Sequence, residues 1–244
     1  MQIDNSRKRL NLGCGLLTHP SWTNVDGSWN ARLAKHPFLR KTLSWFRILP
    51  GEKAKVPWSH DIFIHDVRKP LPFASFSADA IYASHILEHL YREQGEQLIR
   101  ESFRVLVPGG IIRVVVPDLH AIVHEYLGNR FFGELSSSEE NLAPGDRLNQ
   151  RLLMRWPLPS RRNFLLRIYE AWQDFHSHKW MYDEQSLVSL LRSVGFVDIA
   201  RRNYAESQIT NITDVEDPSR ILNGAGVCVE GRKPLELAGS FERL

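Results

Sequence analysis

The sequence predicts an α/β protein: a doubly wound sheet of seven strands, mostly parallel with the last strand antiparallel, carrying an inserted helical cap. Three observations predict it. Short apolar runs alternate with helical patterns along the chain, as strands and crossover helices do. One run, Ile111-Ile112-Arg113-Val114-Val115-Val116, is β-branched almost throughout, as a strand buried on both faces requires. The first run, Leu10-Asn11-Leu12, opens into Gly13-Cys14-Gly15, and ligands of doubly wound sheets sit in such loops at the carboxyl ends of strands.

The elements follow in order. Strands are expected over residues 9–12, 23–25, 62–65, 80–83 and 111–116. Only nine residues, Cys14 to Trp22 with Pro20 among them, separate the first two, so any helix between them must be very short or irregular. A helical stretch between Leu87 and Val107 places Ile99, Phe103 and Leu106 on one face, and Pro108-Gly109-Gly110 stops it and turns the chain into the fifth strand. From His120 to Trp180 no strand pattern appears, and residues 121–127, 147–155 and 163–175 read as helices. Leu187, Leu190, Leu191 and Val194 then form an amphipathic helix ended by Gly195, with strands at 196–201 and 226–230. The expected organisation is one domain over 1–244, with a basic insertion at 27–60 and a helical cap at 120–180 between the fifth and sixth strands.

A hydrophobic fraction of 43% is ample for a core, and no apolar run approaches the roughly 18 to 20 residues of a membrane span. Two cysteines, Cys14 and Cys228, make no disulfide framework, so a reducing, cytoplasmic setting is expected. The net charge of +3 hides an uneven distribution. Arg32 to Lys55 holds seven basic residues against one acid, and Arg147 to Arg167 holds six arginines and no acid. Such segments suit solvated helical faces, but they also suit phosphates and anionic lipid surfaces.

The glycine loop points to a nucleotide-like ligand. Asp26 ends the second strand 11 residues after Gly15, where its carboxylate can accept hydrogen bonds from a ribose diol. A dinucleotide fingerprint needs a third glycine and an acid about 20 residues on; Thr18 stands in that glycine's place, so a dinucleotide is disfavoured. Cys14 reads as a small packing residue.

Taken together, Leu10–Gly15, the 24–26 stretch, His65-Asp66-Val67-Arg68-Lys69-Pro70-Leu71-Pro72-Phe73, residues 80–90 and Arg104 to Gly110 occur in an order that resembles the class I S-adenosylmethionine-dependent methyltransferases. The resemblance is to the type-11 group, which includes bacterial members associated with polysaccharide synthesis, and it implies a Rossmann-like fold with S-adenosyl-L-methionine as cofactor. It further implies that Gly13, Cys14 and Gly15 pass under the amino-acid part of the cofactor and that Asp26 binds the ribose. Asp66 would accept from the adenine amino group beside the Val67 backbone, and Ser84 and His85 would face the methionine moiety and methyl group. Asn11 departs from the acid usual at the start of the first motif.

His85-Ile86-Leu87-Glu88-His89 puts three donors at i, i+3 and i+4, on one face if a helix begins there. It also spells a zinc-peptidase pattern, but a peptidase gives no role to the upstream motifs. No metal ligand is assigned, although a metal-assisted reaction stays open at His85, Glu88 and His89. A hydroxyl acceptor must lose a proton, and the candidate catalytic bases are His85, His89, His176 and His178. The expected activity is O-methylation of a small-molecule or glycan acceptor, phosphate-bearing if the basic segments face it, with contact to anionic lipid at the periphery. RNA or protein methylation and a non-catalytic cofactor-binding scaffold are the alternatives; no nucleic-acid-binding module or base-methylating motif supports the former.

Overall fold

The computed structural model describes residues 8–36, 38, 42, 45, 58–128, 143–153 and 177–235. Seven strands form one sheet: β1 (Lys8–Leu12), β2 (Thr23–Asp26), β3 (Phe63–Ile64), β4 (Ala78–Ser84), β5 (Leu106–Pro117), β6 (Val197–Arg201) and β7 (Gly226–Arg232). Their spatial order is β3-β2-β1-β4-β5-β7-β6. All neighbouring pairs from β3 to β5 are parallel, whereas β7 runs antiparallel to both β5 and β6. The chain leaves β1 towards one side of the sheet and returns at β4 on the other. A crevice for a ligand opens where the order reverses, at the carboxyl ends of β1 and β4.

Period-two alternation along β5 divides the core. Ile112, Val114 and Val116 point to one face, where they join Leu10, Leu12 and Ile81. Helices α2 (Arg92–Val105) and α5 (Glu184–Val194) cover that face with Leu98, Ile99, Val105, Leu187 and Leu191, all essentially fully buried. Each such side chain contributes roughly 1.5–3 kcal/mol through burial. Ile111 and Val115 point to the opposite face, where Ile209, Ile212, Val215 and Ile221 from the β6–β7 connection replace a helix. The three short 3₁₀ turns of that connection bring its apolar residues onto the sheet.

α5 forms for local reasons as well. Asp183 accepts from the Ser186 backbone N–H at 2.8 Å, Ser186 Oγ accepts from the Asp183 N–H at 2.9 Å, and Gly195 closes the helix at φ 110°. The remaining described helices are α1 (Trp29–Ala34), α3 (Leu119–Gly128) and α4 (Pro144–Leu152).

Several expectations change in detail. No helix links β1 to β2; the connection is a run of turns, consistent with its nine residues and Pro20. The stretch after β4 is split: Leu87–His89 is a single 3₁₀ turn, and α2 starts only at Arg92. Pro108-Gly109-Gly110 is a bulge inside β5 rather than a turn before it. Ala78 pairs with Leu106 but Ala80 with Ile111, so the extra β5 residues arch out around Gly109 at φ 79°. α4 ends at Leu152, before residue 155, because Leu153 adopts the left-handed conformation. The helix expected over 163–175 and His176 lie outside the described residues, as does much of the basic insertion.

Candidate functional site

The crevice is built from three loops at the carboxyl edge of the sheet. The first is the glycine loop. Cys14 N–H donates to Val25 O at 3.1 Å and Asn11 Nδ2 donates to Leu17 O at 2.8 Å and to Asn24 Oδ1 at 3.1 Å, so Asn11 fastens the loop to β2. Gly13 has φ 65°, and a Cβ there would lie 2.7 Å from Ile86 Cδ1. Ile86, just after β4, therefore fills the open side of Gly13 and joins the two halves of the crevice. Gly15 has φ 54° and nothing within 4 Å of where its Cβ would stand. That open face leaves room for a ligand. Cys14 is buried, and burial, aided by the charge of Asp26, pushes its thiol up to about 12; it is a packing residue and no nucleophile.

Asp26 closes β2 with its carboxylate aimed at the glycine loop. Oδ2 accepts from Gly15 N–H at 3.0 Å and Oδ1 from Ser28 N–H at 2.7 Å. Each oxygen keeps a second acceptor site, so a diol can still be bound. Gly27, next in the chain, is required by close approach: a Cβ there would stand 2.5 Å from His65 O and 3.0 Å from Asp66 Cα. Gly27→Ala should therefore push the β3 end away from β2 and cost about 1–3 kcal/mol, the usual range for overpacking. Thermal unfolding would show it, and an unchanged midpoint would refute the tight contact.

Asp66 stands beyond β3. Its carboxylate is held by Arg68, with Nε 2.9 Å from Oδ1 and Nη2 2.7 Å from Oδ2. The Arg68 hydrogen bond holds the Asp66 carboxyl below the usual carboxylate range, against the smaller effect of burial. A ligand at Asp66 must share this carboxylate with Arg68, a partner visible in the sequence only as a basic residue two positions on.

The third loop follows β4. Ser84 is buried, and its Oγ accepts from Arg220 Nη1 at 3.3 Å. His85 adopts φ 52°, which non-glycine residues rarely do, so it does not start a helix and the expected helical face of His85, Glu88 and His89 does not form. The left-handed turn nonetheless brings His85 Nδ1 to 3.2 Å from Glu88 Oε1, without the alignment of a hydrogen bond. His85 Nε2 lies 3.4 Å from Arg220 O. Arg220, from the β6–β7 connection, thus touches both residues, and nothing in its local sequence signals this.

Glu88 is wholly buried, and neither carboxylate oxygen has a hydrogen-bond donor. Burial alone would raise its pKa, but His85 and His89 outweigh it and hold the carboxyl below its usual range. Its carbonyl accepts from Lys179 N–H at 2.7 Å, which clamps the segment 177–182 over the 3₁₀ turn. That segment delivers His178, whose ring stacks edge-on against His89 at 5.0 Å. Burial pushes the His178 imidazole below its ordinary value, so it is neutral near pH 7. One donor atom each from Glu88, His89 and His178 lies within 4.8 Å of the others. Of the four histidines singled out from the sequence, three converge here.

Residues 47–114 match the family model described as a methyltransferase domain. The matched segment holds Asp66, Ser84, His85, Glu88 and His89 but not the glycine loop or Asp26. No curated protein matches the chain. Similar solved structures include the S-adenosylmethionine-dependent methyltransferase SibL in its apo form, at 19% identity and a TM-score of 0.44 over 96% of this chain and 52% of that one. A second, from Thermotoga maritima, is 14% identical with a TM-score of 0.44, over 93% of this chain and 82% of that one. Human N-acetylserotonin methyltransferase in complex with S-adenosylmethionine is 16% identical with a TM-score of 0.39, over 93% of this chain and 48% of that one. The chain spans about half the length of the first of these structures. Among the described residues no helix is long and apolar enough to cross a membrane.

Proposed function

We propose that this chain is an S-adenosylmethionine-dependent methyltransferase acting on a hydroxyl of a small-molecule or glycan acceptor. The observation that carries the reading is the juxtaposition of the open face at Gly15 with the Asp26 carboxylate, at the point where the strand order reverses. These residues fit the cofactor: Asp26 would take the ribose hydroxyls, Gly15 and Cys14 would underlie the chain beyond the ribose, and Asp66 with the Val67 backbone would meet the adenine. Ser84 and His85 would border the methionine end, and Gly13, packed under Ile86, would hold the loop's shape. When bound, S-adenosylmethionine supplies an electrophilic methyl group.

What remains for the protein is positioning and one proton. An in-line displacement needs the acceptor oxygen held opposite the sulfur, and a hydroxyl must lose its proton as it attacks. His85 suits the second task, since it is partly exposed at the β4 edge and fixed between Glu88 and Arg220. His85→Asn, a residue that tolerates the left-handed backbone, should lower kcat by about 10²–10⁴-fold while cofactor affinity changes little. An unchanged kcat would remove His85 as the base.

Isothermal titration with S-adenosylmethionine and S-adenosylhomocysteine tests the reading; binding of neither would overturn it. The phosphate-bearing, polysaccharide-type acceptor rests on the basic segments alone. Arg151 is committed to Glu125 at 3.0 Å, tying α4 to α3, so it is a poor probe of acceptor charge. Reversing Arg155, Arg161 and Arg162 to glutamate should raise the KM for an anionic acceptor several-fold, and an unchanged KM would dismiss the phosphate.

A further inference from the structure

We propose that Glu88, His89 and His178 form a binding site for a divalent transition-metal cation, of which zinc is the natural probe. A fully buried carboxylate is costly unless its charge is met by hydrogen bonds, a counter-ion or a metal. Glu88 has no hydrogen bond on either oxygen, and the groups nearest its carboxylate are imidazoles. His178 Nδ1 is likewise buried without a partner, although its residue is 8% exposed. Two orphaned ligand-type atoms thus face one another in a single cluster, and each belongs to a side chain more than nine-tenths buried.

The third ligand is pre-oriented. His89 Nδ1 lies 3.3 Å from Ser177 O, a contact that places the ring proton on Nδ1 and leaves the Nε2 lone pair facing inward, 4.0 Å from Glu88 Oε1. Metal-bound histidines commonly donate their second ring N–H to a backbone carbonyl in this way. The donor atoms lie within 4.8 Å of one another, and bonds of about 2.0–2.2 Å to zinc would draw them closer by side-chain rotation alone. Two imidazoles and one carboxylate select a borderline cation over magnesium or calcium, which prefer all-oxygen shells. Three protein ligands leave a coordination position open for water or an acceptor oxygen.

Cation binding stands on this geometry by itself. Its use, to hold the acceptor oxygen beside His85, rests on the proposed methyl transfer. The ligands come from two places, the turn after β4 and the returning segment 177–182, so a cation would also pin that segment over the crevice.

The test is metal content. Tag-free full-length protein, stripped with chelator and dialysed against zinc, should retain one equivalent, measured by plasma mass spectrometry. His178→Ala and Glu88→Gln should each lower retention at least tenfold. His178→Ala serves where Glu88→Gln fails to fold, and folding of both is checked by circular dichroism. The cobalt-loaded protein should show visible d–d absorption that His89→Ala abolishes. Retention no greater than in the His178→Ala variant, or cobalt spectra unchanged by it, would overturn the site. S-adenosylhomocysteine titration on the same samples reads the cofactor site separately, so loss of metal with intact cofactor binding leaves the methyltransferase reading standing.

Discussion

Replacing Arg113 with methionine should destabilise the protein by at least 3–5 kcal/mol, the cost typical of breaking a buried ion pair. Arg113 is wholly buried in the middle of β5. Its Nε lies 2.7 Å from Glu216 Oε1, and Nη1 lies 2.9 Å from Glu230 Oε1 and from Glu206 O. Nη2 completes the set at Asn203 O, 2.8 Å away. Glu216 and Glu230 are themselves 0% and 1% exposed at the side chain, so the methionine variant strands two carboxylates and two carbonyls in a dry interior. Against a total stability of about 5–15 kcal/mol, that loss is a large fraction. Urea unfolding should show it, and the melting temperature should fall by roughly 6–20 °C. Adding Glu216→Gln and Glu230→Gln should recover much of the loss, because the stranded charges disappear with their partner. A single variant within about 1 kcal/mol of the parent would sink the account. The network also anchors the β6–β7 connection, which carries Arg220 to Ser84 and His85, so its loss should loosen the crevice as well.

This network shows what sequence reading reaches and where it stops. The strand containing Arg113 is legible because its β-branched residues act locally, through backbone preference and two-faced burial. The partners of Arg113 are not, since they lie 103 and 117 residues away and are chosen by the topology. The same division runs through the site. Asp26 is legible because it follows a strand at a telling distance from a glycine loop. Arg220 is hidden, being 136 residues from Ser84. His85, Glu88 and His89 were visible as a cluster, but the expectation of a helical face failed because the left-handed backbone at His85 follows from the turn at the sheet edge and not from helix propensity. Their encounter with His178 depends on the clamp of Lys179 and Trp180 N–H on the Glu88 carbonyl, a tertiary contact no periodicity encodes.

Asp26→Ala should weaken S-adenosylhomocysteine binding by about 10²–10³-fold, since hydrogen bonds to a charged group contribute about 1.5–3 kcal/mol and each 1.4 kcal/mol is tenfold. Part of that loss has a second source. Without the carboxylate, the Gly15 and Ser28 N–H groups lose their acceptors at 3.0 and 2.7 Å, and the loop loosens before any ligand arrives. A ligand lacking a ribose hydroxyl separates the two effects. If Asp26 acts through the diol, the 2′-deoxy form of the ligand already binds weakly to the parent and loses much less on substitution, giving a coupling energy in the double cycle. If Asp26 serves only to shape the loop, both ligands lose affinity equally and the coupling vanishes. That second outcome would reduce Asp26 to a turn residue, leaving the open face at Gly15 as the crevice's remaining mark of a nucleoside site. The first outcome would fix the ribose, and with it the direction in which the rest of the cofactor must run, towards Ser84 and His85 at the end of β4.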